Sequence, residues 1–282
     1  MAESGKPLAG KTMIMSGGSR GIGLEIAKKA AADGANVTLI AKTDQPHPKL
    51  PGTIHTAAAE IEAAGGQVLP FVGDVRLEES VAEAVRQTVE RFGGIDLVVN
   101  NASAIDLSPT EALPMKKYDL MQDINCRGSF LLSKLCIPHL RASARAGRNP
   151  HILTLSPPLN LDPKWAGMAL GYTIAKYGMS LTTLGLAEEL KGDGIGVNSL
   201  WPRTTIATAA VRNLLGGDEM MSTSRTPAIY ADAAYLVLTA PAEKTSGNFF
   251  IDDDVLAAHG ITDLDQYRVT PGDAELTTDL FL

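Results

Sequence analysis

The stretch that most constrains this chain is MIMSGGSRGIGLEIAKKA, residues 13–30, where Gly17, Gly21 and Gly23 fall between an apolar run and an alanine-rich helical one. A strand that passes through a GxxxGxG turn directly into a helix has a specific use. The turn is tight, side chains are missing where an anion's oxygens would approach, and the helix amides point at that place. By itself such a turn is weak evidence. Between the first strand and first helix of an alternating pattern it is strong.

The alternation continues along the chain. KTMIMS, NVTLIA, QVLPFV, IDLVVN, HILTLS, IGVNSL and NFFID are short, nearly continuous apolar runs, as expected of parallel strands covered on both faces. Between the first four lie GLEIAKKAAADG, TAAAEIEAAGG and LEESVAEAVRQTVERFGG, each with helical periodicity and a glycine stop. Strand and helix in turn imply right-handed βαβ units. The expected fold is α/β, a single Rossmann-type doubly wound parallel sheet of about seven strands with helices on both faces. No internal repeat or linker is evident, so residues 1–282 are expected to form one dinucleotide-binding catalytic domain. The breaker-rich TDQPHPKLPG at 43–52 predicts a surface loop, and the acidic, irregular tail from about residue 253 predicts packing on the surface or on a partner subunit.

A net charge of −7 without a Lys/Arg-rich run argues against nucleic acid as a partner. No apolar run approaches the ~18 residues of a membrane span, and MAESGKPLAGKT lacks the pattern of a signal peptide. A cytoplasmic protein with no membrane partner is expected. Cys126 and Cys136 fall on one predicted helix, roughly 15 Å apart at helical rise, too far for a disulfide. Neither has a CxxC or CxxH neighbour, so no metal is expected.

After the second strand come Ala41 and Lys42, and Arg20 stands in the glycine turn. Two cations with no immediately adjacent acid suit a 2′-phosphate, hence NADP, with NAD less favoured. Asp44 competes, since it could serve a ribose hydroxyl if the strand ended later.

Together these residues resemble the short-chain dehydrogenase/reductase family. Ser16-Gly17-Gly18-Ser19-Arg20-Gly21-Ile22-Gly23 matches its cofactor turn. Asp74 in FVGDV matches the position that contacts adenine, and Asn100-Asn101-Ala102 the motif that lines the cofactor site. Asn125 matches the helix asparagine that holds a proton-relay water, and Tyr172 and Lys176 match the YxxxK signature. The resemblance covers nearly the whole chain. It implies an NAD(P)-dependent enzyme acting on CH–OH groups, with Asn125, Ser156, Tyr172 and Lys176 as catalytic residues. It also implies cofactor contacts from Tyr172, Lys176, Pro202 and Thr205, with Thr208 a weaker candidate. A homodimer or homotetramer is implied as well, with the helices of Asn125 and Tyr172 packed across subunits. Arg203 stands where the family has glycine, and could meet a phosphate, an acidic substrate or solvent.

The chemistry behind the pair is plain. A phenol with a pKa of about 10 exchanges its proton poorly at neutral pH, and an ammonium one helical turn away lowers that pKa. Tyr177 lacks such a lysine. In the family a serine at the end of the fifth strand polarises the substrate carbonyl. We read Ser156 in that role, but the second of the two usual positions is Pro157. Either the longer loop lets Ser156 reach the substrate, or Ser156 is one place early and faces away, with Asn160 as the substitute donor.

The sequence thus points to an NADP-dependent oxidoreductase that interconverts a carbonyl and a secondary alcohol on a small or lipid-like molecule. Trp165, Met168 and Leu170 are candidates for lining its pocket. The alternatives are a cofactor-binding regulatory module with little turnover, or an enoyl reductase.

Overall fold

All seven apolar runs are strands: β1 (Thr12–Ser16), β2 (Asn36–Ala41), β3 (Gln67–Val72), β4 (Leu97–Asn100), β5 (His151–Thr154), β6 (Gly196–Trp201) and β7 (Phe249–Ile251). In this computed structural model, which describes residues 5–46 and 51–282, they form one parallel sheet in the order β3-β2-β1-β4-β5-β6-β7. The chain runs outward from β1 to β3, then crosses back to place β4 on the other side of β1. The loops that leave β1 and β4 therefore diverge, and open a crevice at the carboxyl edge of the sheet. Ser16 lies opposite Asn100 across that switch point.

Alternate residues of each strand feed two separate cores. Met13 and Met15 pack with α1 (Gly21–Ala32), α2 (Ile54–Ala64) and α9 (Pro227–Thr239). Ile14, Val98, Ile152 and Val197 pack on the other face with α3 (Glu78–Phe92), α5 (Gly128–Arg145) and α7 (Leu170–Glu189). Burial on both faces is the reason these strands read as continuous apolar runs. Helix α2 begins before the alanine-rich run because Thr53 and Thr56 form a reciprocal capping box.

Three further features place the site. A π-helical turn, Gln122–Arg127, joins α4 (Met115–Met121) to α5, and Asn125 lies within it. Such turns concentrate at functional sites. Strand β5 stops at Thr154, so Leu155 and Ser156 lie beyond it. Most of the tail lies on the surface, with Tyr267 and Phe281 buried. After α10 (Asp252–Ala258) it returns to the carboxyl edge, where Thr278 bridges Thr204 in antiparallel register and Phe281 is buried against Tyr172 and Trp201. The predicted loop at 43–52 falls partly outside the described residues, and its described ends, Thr43–Pro46 and Pro51–Gly52, are irregular. Among the described residues the remaining α-helices are α6 (Pro163–Met168) and α8 (Gly217–Ser222). Among the described residues no helix is long and apolar enough to cross a membrane.

Candidate active site

The crevice is built first from glycines. Gly17 has φ +79°, and a Cβ there would stand 2.4 Å from Asn101 Nδ2. A Cβ at Gly23 would meet the same nitrogen at 2.6 Å and Gly18 Cα at 2.8 Å, so both positions exclude any larger residue. Ser16 ties this turn to β4: its Oγ accepts the N–H of Asn101 and of Ala102, each at 3.2 Å, and its carbonyl accepts Asn101 Nδ2 at 3.1 Å. Ser19 is buried in the turn, and Ile22 is half-buried at the start of α1. Arg20, Gly21, Thr208 and Arg212 border a surface cavity of about 310 Å³ beside the N-terminus of α1. A cradle that a Cβ would fill, with helix amides and two guanidinium groups beside it, fits the pyrophosphate of a dinucleotide.

The rim beyond β2 and β3 carries charge. Lys42 Nζ lies 3.0 Å from Asp74 Oδ2, and Arg76 grips the same carboxylate with Nε at 3.0 Å and Nη2 at 2.6 Å. Hydrogen bonds from Arg76, opposed by burial and aided by Lys42, hold the Asp74 carboxyl far below the usual carboxylate range. Sequence reasoning missed Arg76, although it stands only two residues after Asp74. Arg20 donates to the carbonyls of Pro51 and Gly52 at 3.0 and 3.2 Å. Asp44 pairs with His55 at 2.6 Å.

Tyr172 and Lys176 stand one turn apart on α7, both buried, with 5% and 4% exposure. Lys176 Nζ donates to Leu155 O at 2.9 Å and lies 5.0 Å above the Trp201 ring. Burial pushes the Lys176 ammonium down to about 7, against the opposing charge of Asp279. Burial, with Asp279 adding to it, pushes the Tyr172 phenol well above its ordinary value. Asp279 is itself pushed up to about 7, chiefly by burial, while Lys176 pulls the other way.

The other expected residues are placed less simply. Both ends of the Asn125 amide are engaged by the backbone of Ala104, accepting its N–H at 2.7 Å and donating to its carbonyl at 3.0 Å. Of the two directions open to Ser156, its side chain takes the one toward Ser199 on β6. A tight turn closed by Ser156 N–H to Thr154 O rotates the side chain into the interior, where it is fully buried. Its Oγ shares a 2.8 Å hydrogen bond with Ser199 Oγ, which donates onward to Thr183. Thr205 likewise turns to Ser224, 2.7 Å away, and not outward to the crevice. Pro202 is buried at the end of β6, and Arg203 is held by Asp253 and Asp254, each at 2.7 Å. Trp165 packs on Phe281, whereas Met168 and Leu170 are each 40% exposed. Trp201, Asp279 and Phe281 join Tyr172 and Lys176 in this site, and no local sequence pattern marks them.

This chain is similar to proteins already described. It is 57% identical over 282 residues to hydroxysteroid dehydrogenase-like protein 2 of Danio rerio, an alignment that takes in 100% of this chain and 66% of that protein. It therefore spans just under two thirds of that relative's length. A short chain dehydrogenase of Mycobacterium thermoresistibile superposes with a TM-score of 0.90 at 60% identity, over 98% of this chain and 96% of that one. An NADH-dependent reductase, A1-R′, complexed with NAD, superposes with a TM-score of 0.70 at 25% identity, over 87% of this chain and 96% of that one. The short chain dehydrogenase profile matches residues 11–216. With the doubly wound sheet, the glycine cradle and that match, the chain belongs to the short-chain dehydrogenase/reductase family of nucleotide-binding oxidoreductases.

Proposed function

We propose that this protein is an NADP-dependent oxidoreductase that interconverts a carbonyl and a secondary alcohol on a small or lipid-like substrate, with Tyr172 as general acid and base. The observation that carries this is the buried Tyr172–Lys176 pair, one helical turn apart at the carboxyl edge of the sheet and next to a strand-turn-helix cradle. A nicotinamide dinucleotide, when bound, supplies or takes the hydride. The amides of Ser19, Arg20, Gly21 and Ile22 suit its pyrophosphate, Asp74 its adenine, and Asn101, Ala102, Pro202 and Lys176 its nicotinamide half.

In reduction Tyr172 passes its phenolic proton to the substrate oxygen, and in oxidation the same oxygen receives the alcohol proton. The Lys176 ammonium favours the phenolate, and Asp279 favours the ammonium. Because the amide of Asn125 is bonded to Ala104, its part in a water relay falls to its backbone carbonyl within the π turn. The second donor to the substrate oxygen is Asn160, whose Nδ2 already donates to a carbonyl in this site, 3.1 Å away. Ser156 supports β6 and α7 instead. NADPH consumption with a reactive vicinal diketone tests these assignments. Wild type turns over, and Ser156→Ala stays within about 3-fold in kcat/KM, where loss of a polarising donor would cost roughly 10²-fold or more. Binding of NADPH without consumption across a panel of ketones would favour a regulatory module.

NADP is favoured over NAD because Lys42 and Arg76 face the rim while Asp44 is turned to His55. Lys42→Ala is expected to raise the KM for NADPH by about 10-fold, the worth of one charge-assisted hydrogen bond, and to leave the KM for NADH within about 2-fold. Equal losses for both cofactors would assign Lys42 to the adenosine instead. Apolar side chains on the long helices, Phe130 on α5 and Ile174, Leu181 and Leu184 on α7, are 44–57% exposed and support a homodimer or homotetramer. A cytoplasmic location is part of the same proposal, and suits Cys126 and Cys136 as free thiols.

A further inference from the structure

Carbonyl reduction by Tyr172 requires the substrate oxygen to reach the phenol, and Tyr172 is 5% exposed. Its ring is covered by Phe281, whose centroid lies 6.2 Å away. Phe281 is 1% exposed and enclosed by three more rings, Trp165 at 5.7 Å, Tyr177 at 5.4 Å and Trp201 at 5.9 Å. Three of its four neighbours belong to elements that cannot easily yield. Tyr172 and Tyr177 lie on a 20-residue helix, and Trp201 ends β6, which is paired on both sides. The segment that carries Phe281 is held at the edge by backbone hydrogen bonds from Thr205 to Thr277, Thr277 to Thr223 and Asp279 to Arg203.

Two details make this seat resemble a ligand site more than a core. Phe281 has φ +74°, a left-handed conformation that phenylalanine seldom adopts. It is held there by side chains that reach for its flanking carbonyls: Trp201 Nε1 donates to Leu280 O at 2.8 Å, and Asn160 Nδ2 to Phe281 O at 3.1 Å. In addition, the buried Nε1 of Trp165 has no partner among the described residues. One ring of the cage thus carries a spare N–H, and a buried donor is costly to leave unpaired.

We propose that the cage filled by Phe281 is the seat of the substrate's apolar group, and that residues 280–282, hinged after the anchored Asp279, form a strap which leaves it when substrate enters. This rests on the carbonyl-reductase function above and names its substrate class. The ligand carries a flat or branched apolar group about the size of a benzene ring, flanked by carbonyl, ester or carboxyl oxygens that accept the N–H groups of Trp201, Asn160 and Trp165. While the strap is in place it competes with that ligand. The apparent affinity is then lowered by the fraction of molecules in which the cage is open.

The two tryptophans of the chain both touch Phe281, so their emission reports the cage directly. Methyl benzoate, which has the ring and the ester oxygens but no reducible ketone, is the probe. Excited at a tryptophan-selective wavelength, the full chain is expected to show saturable quenching as methyl benzoate is added. Phe281→Ala is expected to bind methyl benzoate about 10-fold more tightly, and to emit at longer wavelength before any ligand is added. A weaker affinity in Phe281→Ala would make Phe281 a fixed wall, and an unchanged affinity would place the ligand elsewhere. Either result overturns the proposal. Should Phe281→Ala fail to fold, amide hydrogen exchange on the unaltered protein decides: exchange at residues 280–282 rises with methyl benzoate if the strap is displaced, and stays equal or falls if it is not. None of these readouts needs turnover. A protein that consumes no NADPH with any ketone, yet shows the tighter binding, would retain the strap and lose the carbonyl-reductase function.

Discussion

Tyr172→Phe is expected to lower kcat/KM for NADPH-dependent carbonyl reduction by roughly 10³-fold, within the 10²–10⁴ range of a general acid, while the Kd for NADPH changes little. The substitution removes one oxygen and keeps the ring, so its packing against Phe281 persists and the folded site is preserved. A loss confined to kcat/KM separates proton transfer from binding. A pH profile adds a second check. Burial and Asp279 raise the phenol's pKa, so near neutral pH it holds its proton, the form that reduction needs. Oxidation needs the phenolate, and its rate is therefore expected to climb toward alkaline pH while reduction is flat near neutrality. Turnover by Tyr172→Phe within about 10-fold of wild type would assign the proton to another group.

Asp96→Ala is expected to cost about 3 kcal/mol of stability, a fall in Tm of roughly 5–10 °C for a chain of this size. Asp96 sits just before β4, at the edge of the sheet opposite the site, and is 3% exposed. Its carboxylate accepts the N–H of Thr12 at 2.8 Å, the hydroxyl of Ser143 at 2.6 Å and two bonds from Arg148 at 2.7 Å each. It thereby joins β1, α5 and the turn before β5. Alanine leaves the buried Thr12 amide without this acceptor. Burial alone would raise this carboxyl's pKa, but the hydrogen bonds from Arg148, Ser143 and Thr12 outweigh it and hold the pKa below the ordinary value. The stabilisation is therefore complete above the unfolded pKa of about 3.9 and is lost as pH falls through the lower folded one. Thermal melts of the two proteins should differ most at neutral pH and converge in acid. Equal melting temperatures at pH 7 would show that solvent replaces these bonds without loss. Because the site lies at the other edge, kcat/KM per folded molecule is expected to be unchanged.

These two residues show different sides of how legible the chain is. Tyr172 could be singled out before any coordinates because its partner Lys176 is one helical turn away, and local spacing is written in the sequence. The same holds for Gly17 and Gly23, where a strand, a turn and a helix follow each other without a break. Asp96 carries no such mark. Its partners come from three elements that only the sheet order brings together.

The seven strands, their parallel pairing and the glycine cradle were determined by the sequence alone, since both-face burial and helical periodicity leave short-range patterns. The direction of Ser156 was decided only in three dimensions. Two neighbouring positions at a strand end face opposite ways, and the turn after Thr154 chose the interior, toward Ser199 on a different strand. The tail was decided there too. Residues 277–282 have no periodicity of their own, and their partners, Asn160, Tyr172, Trp201 and Arg203, lie far earlier in the chain. Irregular backbone finds its hydrogen bonds wherever tertiary packing offers them, which is how Asp279 came to lie beside Lys176 and Phe281 upon Tyr172.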